Sequence, residues 1–387
     1  MPEAVIVDAV RTPIGRAFKG SLAQLRPDEM GAFIVDALLE RNPQVDPALV
    51  EDLYCGCGMP QGLQAFNIAR IVSLLSEQLP VGVTGATISR YCASSLESIR
   101  VAANAVTAGQ GDAYVAAGVE WVSRYNERTE AAGEADQNEH LQGKNGDPNA
   151  YISMGLTAEN VADRYEVSRA DMDKYAQRSQ ELAVKSQEEG FFDREIVPVT
   201  LPDGTEVAKD DGPRASSTLE KLSQLEPAFR EDGKVTAGNS CPLNDGAAAV
   251  LVMSDTKADE LGLTPRARII TAATAGIEPE YMGVGPIGAI EKVLDRAGMT
   301  IGDVDQVELN EAFAAQVIPI MDQCDIPLEK MNPHGGAIAL GHPFGMTGAR
   351  IMTTLLNGLE SDDKTIGLET MCVAGGQGEA MLVERLS

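Results

Sequence analysis

The sequence predicts an α/β fold of two similar halves with an insertion between them. Strand-like and helix-like segments alternate along the 387 residues, which is typical of layered α/β proteins. Segments of the first half recur in the second at a nearly constant offset, which indicates an internal duplication. A polar, acidic stretch without clear periodicity, Arg124–Asn149, separates the two sets and predicts an inserted segment.

The predicted elements follow in chain order. Val5–Ala9 indicates a short buried strand, and Asp28–Glu40 has the apolar spacing of a helix with acidic residues at its start. Leu96–Ala108 is an alanine-rich helix, and Asp112–Ala117 a further strand. The second half contains strand Ala267–Ala272, helix Gly288–Ala297, strand Val304–Leu309, helix Thr347–Leu356 and strand Thr365–Thr370.

The duplication rests on four matched pairs about 254 residues apart. They are Val45–Leu53 with Met299–Val307, Asp36–Glu40 with Glu291–Asp295, Ser95 with Gly348, and Asp112–Ala117 with Thr365–Thr370. Between the halves, the insertion runs from Trp121 to about Pro242 and includes a predicted helix, Asp171–Glu189, and a turn-rich segment, Pro198–Arg214. An excursion of this length commonly forms a lid or a ligand-binding element.

The composition excludes several classes of protein. With 31 basic and 58 acidic residues the formal net charge is −27, so the chain as a whole repels nucleic acid and anionic membranes. No apolar run reaches the ~18 residues of a membrane span. The first residues lack the basic stretch and apolar core of a secretory signal. We therefore expect a cytoplasmic protein that binds neither nucleic acid nor a membrane.

The cysteines indicate neither a disulfide scaffold nor a metal site. Six cysteines are too few for a disulfide framework in a chain of this length. Cys55-Gly-Cys57 has the spacing of half a metal site, but no second pair and no neighbouring histidine completes it. These two cysteines are interpreted as small residues at the end of a buried strand, and no metal is expected.

Four segments carry residues suited to catalysis. Cys92 precedes an alanine-rich helix, whose first N–H groups would stabilise a thiolate; a buried structural cysteine is the alternative. His342 lies between a glycine-rich stretch and a proline, which suits a base held in a tight turn. Cys372 is followed by the amide-rich turn Val373–Gly378, which suits an oxyanion site. Asn310 ends a predicted strand, where α/β proteins usually bind ligands.

Together these segments closely resemble the thiolase family over essentially the whole chain. Three hallmark segments appear in order: Cys92-Ala-Ser-Ser-Leu96, Gly335-Gly-Ala-Ile-Ala-Leu-Gly-His-Pro343 and the segment around Cys372. Further matches are Val10-Arg-Thr-Pro-Ile-Gly15, Met154-Gly-Leu-Thr-Ala-Glu159, Thr236-Ala-Gly-Asn239, Asn244-Asp-Gly-Ala-Ala-Ala249 and Asn310-Glu-Ala-Phe-Ala-Ala315.

The resemblance implies the thiolase fold, in which duplicated βαβαβαββ halves form five αβαβα layers with a loop domain inserted in the first half. On this basis, residues 1–118 plus 243–264 are predicted to form the N-terminal half and residues 265–387 the C-terminal half. Residues 119–242 would form the inserted domain, which binds CoA and acts as a lid.

The resemblance also implies a catalytic role for each matching residue. Cys92 would be the acylated nucleophile, and His342 the base that deprotonates it. Cys372 would be the second acid/base, which protonates the departing acetyl-CoA enolate and later deprotonates CoA. His342 with a water held by Asn310 would form one oxyanion hole, and the backbone N–H groups of Cys92 and Ala374 the other. Coenzyme A would be a substrate, and no permanently bound cofactor is implied.

Six positions are expected to contact CoA. Arg214 matches the family arginine near the adenosine phosphates, and Cys241 replaces a serine that often helps to bind CoA. Four residues match apolar positions along the path of CoA and its pantetheine arm, with ordinary core packing as the alternative for each: Met154, Phe229, Met282 and Phe313.

Three further positions depart from the family pattern. Ala374 stands where a glycine is usual; because a positive φ would cost an alanine about 1–3 kcal/mol, we predict a negative φ there. Ser89 replaces a common asparagine and is expected to support the nucleophile without touching it. His334 also replaces an asparagine, and would either add a charge near the cleft or supply the same hydrogen bond.

Within the family, the sequence favours degradation over biosynthesis. Ser153 stands where biosynthetic members usually have histidine, the loop Trp121–Tyr151 lacks their longer tetramerisation segment, and Gln61–Arg70 resembles the β-oxidation thiolases. The expected enzyme is a 3-ketoacyl-CoA thiolase of fatty-acid β-oxidation and a homodimer. Some members of that group bind a hydratase/dehydrogenase subunit. The first alternative is an acetyl-CoA acetyltransferase that condenses two acetyl-CoA molecules, for which a tetramer is the possible assembly. A more remote alternative is a non-catalytic acyl-CoA binding protein.

Overall fold

A computed structural model describes residues 2–124, 137–144 and 146–387 of the protein. The middle of the predicted polar loop, residues 125–136, and residue 145 lie outside the described residues. None of the helices in the described ranges is long and apolar enough to cross a membrane.

The N-terminal half forms a five-stranded sheet in the order β4-β3-β5-β8-β1. Its strands are β1 (Ala4–Arg11), β3 (Val50–Gly56), β4 (Thr84–Ile88), β5 (Ala113–Trp121) and β8 (Asn244–Ser254). β3 runs parallel to β4 and β5, whereas β8 pairs antiparallel with β5 and β1. β1, β5 and β8 are buried along their whole length, as expected for strands covered on both faces.

The C-terminal half repeats this topology. Its strands are β9 (Ala267–Gly276), β10 (Gln306–Leu309), β11 (Ile366–Val373) and β12 (Gln377–Arg385), in the order β10-β11-β12-β9. A parallel bridge between Val307 and Met331 takes the place that β4 has in the first sheet. β1 and β9 pair at Val5–Arg268 and Ile6–Ala267, which joins the two sheets. The duplication predicted from the sequence is therefore present in the structure.

Helices complete the predicted five layers. α1 (Pro27–Arg41) and α2 (Ile68–Leu75) cover the first sheet, and α8 (Gly285–Ala297) covers the second. α3 (Ser94–Thr107) and α11 (Thr347–Ser361) lie between the sheets and contact each other closely.

The contact between the two central helices depends on small residues. A Cβ on Gly348 would lie 2.2 Å from the backbone nitrogen of Leu96, so only glycine fits there. Next to it, the backbone N–H of Ala349 donates to Ser95 Oγ at 2.9 Å. The matched pair Ser95 and Gly348, noted in the sequence, is therefore the point where the two halves meet.

The described part of the insertion packs mainly on the C-terminal half. Its helices are α4 (Met154–Arg164), α5 (Arg169–Glu188) and α6 (Leu219–Ser223), and its short strands are β6 (Val199–Thr200) and β7 (Glu206–Val207). The other short elements are β2 (Gly15–Arg16), α7 (Asp255–Glu260), α9 (Ala314–Gln323) and α10 (Ala337–Leu340). α4 packs on α9, and α5 packs on both α9 and α10.

Two buried acid clusters fix the insertion in place. Arg11 makes a bidentate ion pair with Asp210, at 2.8 and 2.9 Å, and a third contact with Glu195 at 2.7 Å. Glu311, next to Asn310, accepts hydrogen bonds from Tyr175 and Ser179 of α5 at 2.8 and 2.6 Å. Charged groups buried without water are stable only when paired in this way, so the segment 175–210 of the insertion has a defined position relative to the sheets.

Candidate active site

Cys92 lies in a short turn between β4 and α3, as the strand–turn–helix pattern predicts. Tyr91 has a φ of +42°, and the turn is held by Ser94, whose Oγ accepts from the Arg90 N–H at 3.0 Å and donates to the Tyr91 carbonyl at 2.6 Å. The Cys92 side chain is 8% exposed. Burial raises the pKa of the Cys92 thiol well above its usual range, with smaller contributions from Cys372 and Cys241.

This outcome differs from the thiolate expected at a helix start. The nearby backbone N–H groups of Ala374 and of Cys92 itself lower the pKa of the thiol, but desolvation outweighs them. The resting nucleophile is therefore a thiol, and it needs a base.

His342 follows α10 in a turn that only glycine can begin. Gly341 has a φ of +110°, and a Cβ there would lie 2.4 Å from the Asn244 amide. The same amide accepts the backbone N–H of His342 at 3.1 Å. Burial, with a smaller contribution from the Arg350 cation, lowers the pKa of His342 to about 3. The imidazole is therefore neutral at physiological pH.

The hydrogen bonds of the imidazole define its tautomer. Thr347 Oγ1 donates to the Pro343 carbonyl at 2.7 Å, so it can only accept from His342 Nδ1, which lies 2.6 Å away. Nδ1 therefore carries the proton and Nε2 has the free lone pair. Asn310 Nδ2 lies 3.3 Å from this Nε2, which leaves the buried Asn310 Oδ1 without a partner among the described residues.

Cys372 lies one residue before the end of β11 and is fully buried. Burial raises the pKa of Cys372 to about 11, and a hydrogen bond from Gln316 opposes that rise. Ala374, two residues on, has a negative φ, as predicted, while the next residues, Gly375 and Gly376, have φ values of +78° and +82°. The glycines thus form the turn, and the Ala374 N–H stays near enough to Cys92 to lower the pKa of its thiol.

The loops that carry Cys92 and His342 meet over Gly58. A Cβ on Gly58 would lie 2.8 Å from Phe344 Cβ and 3.1 Å from the Tyr91 carbonyl oxygen. The buried Glu120 carboxylate accepts the backbone N–H groups of Gly58 and Gly345 at 2.7 and 2.9 Å. One side chain therefore connects the two loops. Ser89 Oγ donates to the Gly58 carbonyl at 3.5 Å, which fits the supporting position expected for it.

Five of the six residues expected to contact CoA belong to the apolar cluster that contains Cys372, or pack on a member of it. Met154, Cys241, Met282 and Phe313 belong to the same apolar cluster as this cysteine. Phe229 is 42% exposed and packs edge-on against Phe313 at a ring distance of 6.0 Å. Burial raises the pKa of Cys241 to about 12, so this residue offers a thiol.

Arg214 lies apart from this cluster, beside α5. It lines a surface groove with Gln180, Lys185 and Thr218, and its backbone N–H donates to Gln180 Oε1 at 2.8 Å. Burial and the neighbouring Arg16 lower the pKa of Arg214, and no ion pair holds its side chain in the described part of the chain. The guanidinium is therefore available to an anion.

His334 does not add a charge near the cleft. Its ring stacks on Phe191 at a centroid distance of 3.7 Å, and burial lowers the pKa of His334 to about 4. The neutral ring instead packs between the insertion and the C-terminal half.

Sequence reasoning missed two side chains that hold the reacting groups. Thr347 holds His342, and Gln316 contacts Cys372. Gln316 stands in the Asn310 segment and Thr347 five residues after His342, but nothing in a single sequence distinguishes them from core residues.

The chain belongs to the thiolase family. The model of the thiolase N-terminal domain matches residues 4–256, and that of the thiolase C-terminal domain matches residues 263–385. Members of this family are acyltransferases that use CoA as a substrate and hold no permanent cofactor.

Two relatives align over the full length of both chains. The 3-oxoadipyl-CoA/3-oxo-5,6-dehydrosuberyl-CoA thiolase of Escherichia coli K12 is 43% identical over 403 residues, with complete coverage of each chain. The 3-ketoacyl-CoA thiolase of Idiomarina loihiensis is 44% identical over 394 residues, again with complete coverage.

Two solved structures share the fold. The dimeric peroxisomal thiolase of Saccharomyces cerevisiae superposes with a TM-score of 0.92 at 37% identity, covering 99% of this chain and 97% of that one. The acetyl-CoA acetyltransferase of Bacillus anthracis superposes with a TM-score of 0.90 at 39% identity, covering 100% and 99%.

Proposed function

We propose that the protein is a degradative 3-ketoacyl-CoA thiolase, which cleaves a 3-ketoacyl-CoA with CoA to give acetyl-CoA and a shortened acyl-CoA. The observation that carries the thiolase chemistry is a buried thiol and a neutral histidine of defined tautomer on two loops that Glu120 holds together. Cys92 is a thiol whose pKa burial raises and two nearby backbone N–H groups lower, and His342 presents an unprotonated Nε2. A second buried thiol, Cys372, stands close enough to Cys92 to influence its pKa.

In the first half-reaction, His342 Nε2 takes the proton of Cys92, and the thiolate attacks the 3-keto carbon. The resulting alkoxide is stabilised by the N–H groups of Cys92 and Ala374, which lie near the sulfur and lower the pKa of the thiol. The C2–C3 bond then breaks, and its electron pair forms the enolate of acetyl-CoA. Protonated Nε2 and a water held by Asn310 Oδ1 donate to the enolate oxygen, and Cys372 supplies the proton to carbon.

In the second half-reaction, the Cys372 thiolate takes the proton of CoA. The CoA thiolate attacks the acyl-Cys92 thioester, and Cys92 leaves as a thiolate that regains its proton from His342. Both thiols and the histidine return to their starting states, so no external acid, base or metal is consumed.

We also propose that CoA binds along the apolar cluster at Cys372, with its adenosine phosphates at Arg214. Met154, Phe229 and Phe313 form the apolar side of this path. The available guanidinium of Arg214 supplies the local positive charge that a protein of net charge −27 needs for an anionic substrate. The insertion, residues 119–242, thus contributes Arg214, Met154 and Phe229 to the CoA path and forms a domain distinct from the two halves.

The experiment is CoA-dependent cleavage of acetoacetyl-CoA, a 3-keto C10 acyl-CoA and 3-oxoadipyl-CoA, followed as loss of the 3-keto substrate. Faster cleavage of the C10 substrate supports the proposal. Cys92→Ser should lose turnover by about 10²-fold or more. Cys324→Ser, which changes a cysteine at the end of α9, should keep wild-type turnover. A folded wild-type protein that cleaves none of the three substrates would refute the proposal.

Two other reactions are tested by the same substrates. The 43% identical E. coli relative is a 3-oxoadipyl-CoA thiolase, so preference for 3-oxoadipyl-CoA would place this chain with the thiolases of dicarboxylic substrates. Activity confined to acetoacetyl-CoA would instead identify an acetyl-CoA acetyltransferase, and the condensation direction would then be measured.

We propose a homodimer as the assembly. Phe66 and Val81 are 90% and 74% exposed, unusually high for large apolar side chains, and Tyr91 next to Cys92 is also exposed. All three lie in the segment 63–91, and the yeast structure of the same fold is dimeric. Light scattering of the wild type should give a mass near 82 kDa, twice 41.0 kDa, and Phe66→Glu should shift it toward the monomer.

A further inference from the structure

The side-chain amide of Gln316 is in contact with the Cys372 sulfur through both of its polar atoms. Gln316 Nε2 lies 3.1 Å from Sγ, and Oε1 lies 3.4 Å from the same sulfur. Nε2 also donates to the Asn310 carbonyl oxygen at 3.4 Å. Because a carbonyl oxygen can only accept, this second contact defines which end of the amide is the nitrogen.

The position of the amide is set by its surroundings. Gln316 is in the first turn of α9 and is fully buried. On its other side, a Cβ on Gly283 would lie 3.0 Å from Gln316 Cβ and 3.5 Å from Oε1. Burial and the contacts with Cys372 and the Asn310 carbonyl leave the amide little freedom to turn away from the sulfur.

We propose that Gln316 is a positioning residue that serves Cys372 in both of its protonation states: Oε1 accepts from the thiol, and Nε2–H donates to the thiolate. This inference rests on the proposed function, in which Cys372 first gives a proton to the enolate and then takes one from CoA. A carboxamide serves both states without rotating, because its donor and its acceptor face the same sulfur. Nε2 also contacts the Asn310 carbonyl, and the Asn310 side chain contacts His342. These contacts hold Cys372 at a fixed position relative to the base His342.

Two substitutions of similar size both remove the donor to the thiolate, and they differ in whether an acceptor for the thiol remains. Gln316→Glu keeps an acceptor for the thiol and removes the donor for the thiolate. Gln316→Met removes both. Loss of a donor to a charged group lowers the thiolate fraction about ten-fold or more. Because a more basic thiolate is also more nucleophilic, its rate of alkylation at a given pH falls about three-fold or more.

The test is alkylation by a small uncharged reagent between pH 8 and 9.5, resolved by mass spectrometry of the cysteine peptides. Cys324 is an internal control, because it caps the same helix α9 and would react faster if the helix loosened. Cys92 is a second control, because its rate reports access to the site. We expect Cys372 to slow about three-fold or more in both variants, while Cys324 and Cys92 keep their wild-type rates. We also expect kcat for thiolysis to fall with an unchanged KM for CoA.

An unchanged Cys372 rate in both variants would overturn the proposal. A change of equal size at Cys324 would also overturn it, because the effect would then come from the helix. The thiol measurement needs no turnover. If the wild type cleaves no 3-ketoacyl-CoA, the proposed function fails while the role of Gln316 toward Cys372 is still decided.

Discussion

Thr347→Val should disable His342 as a base without changing the shape of the site. Valine has nearly the volume of threonine but lacks the Oγ1 that accepts from Nδ1 at 2.6 Å. Keeping the productive tautomer would then leave Nδ1–H buried without an acceptor, at a cost of about 1–3 kcal/mol. The other tautomer puts the proton on Nε2, where Asn310 can rotate its amide and accept it with Oδ1. That tautomer cannot deprotonate Cys92.

The expected loss is therefore about 5- to 150-fold in the rate of Cys92 acylation, which is that cost expressed as a rate. The assay is a rapid-quench time course of the acyl-enzyme, followed by mass spectrometry of the Cys92 peptide. Thr347→Ser keeps the hydroxyl and should restore most of the rate.

Thr353→Val is the matched control. Thr353 is also buried in α11 and also donates to the carbonyl four residues back, Ala349, at 2.8 Å, but it makes no contact with His342. It should lose stability to a similar degree and keep its acylation rate. The reasoning is refuted if Thr347→Val acylates at the wild-type rate, or if Thr353→Val is equally slow.

Four further outcomes are expected. Cys372→Ala should lower steady-state cleavage by about 10²- to 10⁴-fold, while the acid-quenched enzyme should still contain acylated or substrate-bound Cys92. An equally large loss of CoA affinity, measured by equilibrium titration, would contradict the assigned role. Gly348→Ala should lower the free energy of unfolding by about 3 kcal/mol or more, measured in urea, whereas Gly82→Ala, where a Cβ meets nothing within 4 Å, should change it little. kcat/KM should not fall as the pH is lowered through 6.5. Because the pKa of His342 is lowered to about 3, the base stays unprotonated far below the usual range of histidine. Because the pKa of Cys372 is raised to about 11, the acid stays protonated well above neutrality. A fall in kcat/KM of the wild type below pH 6–7 would disprove this. Finally, raising sodium chloride from about 0.1 to 1 M shortens the screening length from about 10 to 3 Å, so a chain of net charge −27 should gain in Tm; a flat or falling Tm would show that self-repulsion is unimportant.

The layered fold could be predicted because its elements carry strong local patterns. The helix expected over Asp28–Glu40 is found over Pro27–Arg41, and the strand expected over Thr365–Thr370 is found over Ile366–Val373. No strand is predicted from the sequence at β8, and alanine, which fills Ala247–Ala249, has a high intrinsic helix propensity. The sheet overrides this preference, because β8 is buried between β1 and β5.

The site could be predicted as a set of residues but not as a set of interactions. Cys92, His342, Cys372 and Asn310 stood out by residue type and by the turns around them. Their protonation states did not, because burial depends on elements far away in the chain. A helix start indicated a thiolate at Cys92, and desolvation by the surrounding layers reverses that expectation. Gln316 likewise acquires its meaning from a contact 56 residues away.

The position of β8 has a consequence for how the protein is made. β8 lies between β1 and β5 in space, yet it follows them in the chain by an insertion of more than a hundred residues. At the usual speed of ribosomes, about 5–20 residues per second, β8 is synthesised roughly 6–25 s after β5. During that time the nascent chain carries two apolar strands with unpaired edges, which are the usual starting points of aggregation. Slower translation of the insertion would lengthen this exposure, so the yield of soluble enzyme should depend on the codons of a segment that contributes little to the two sheets.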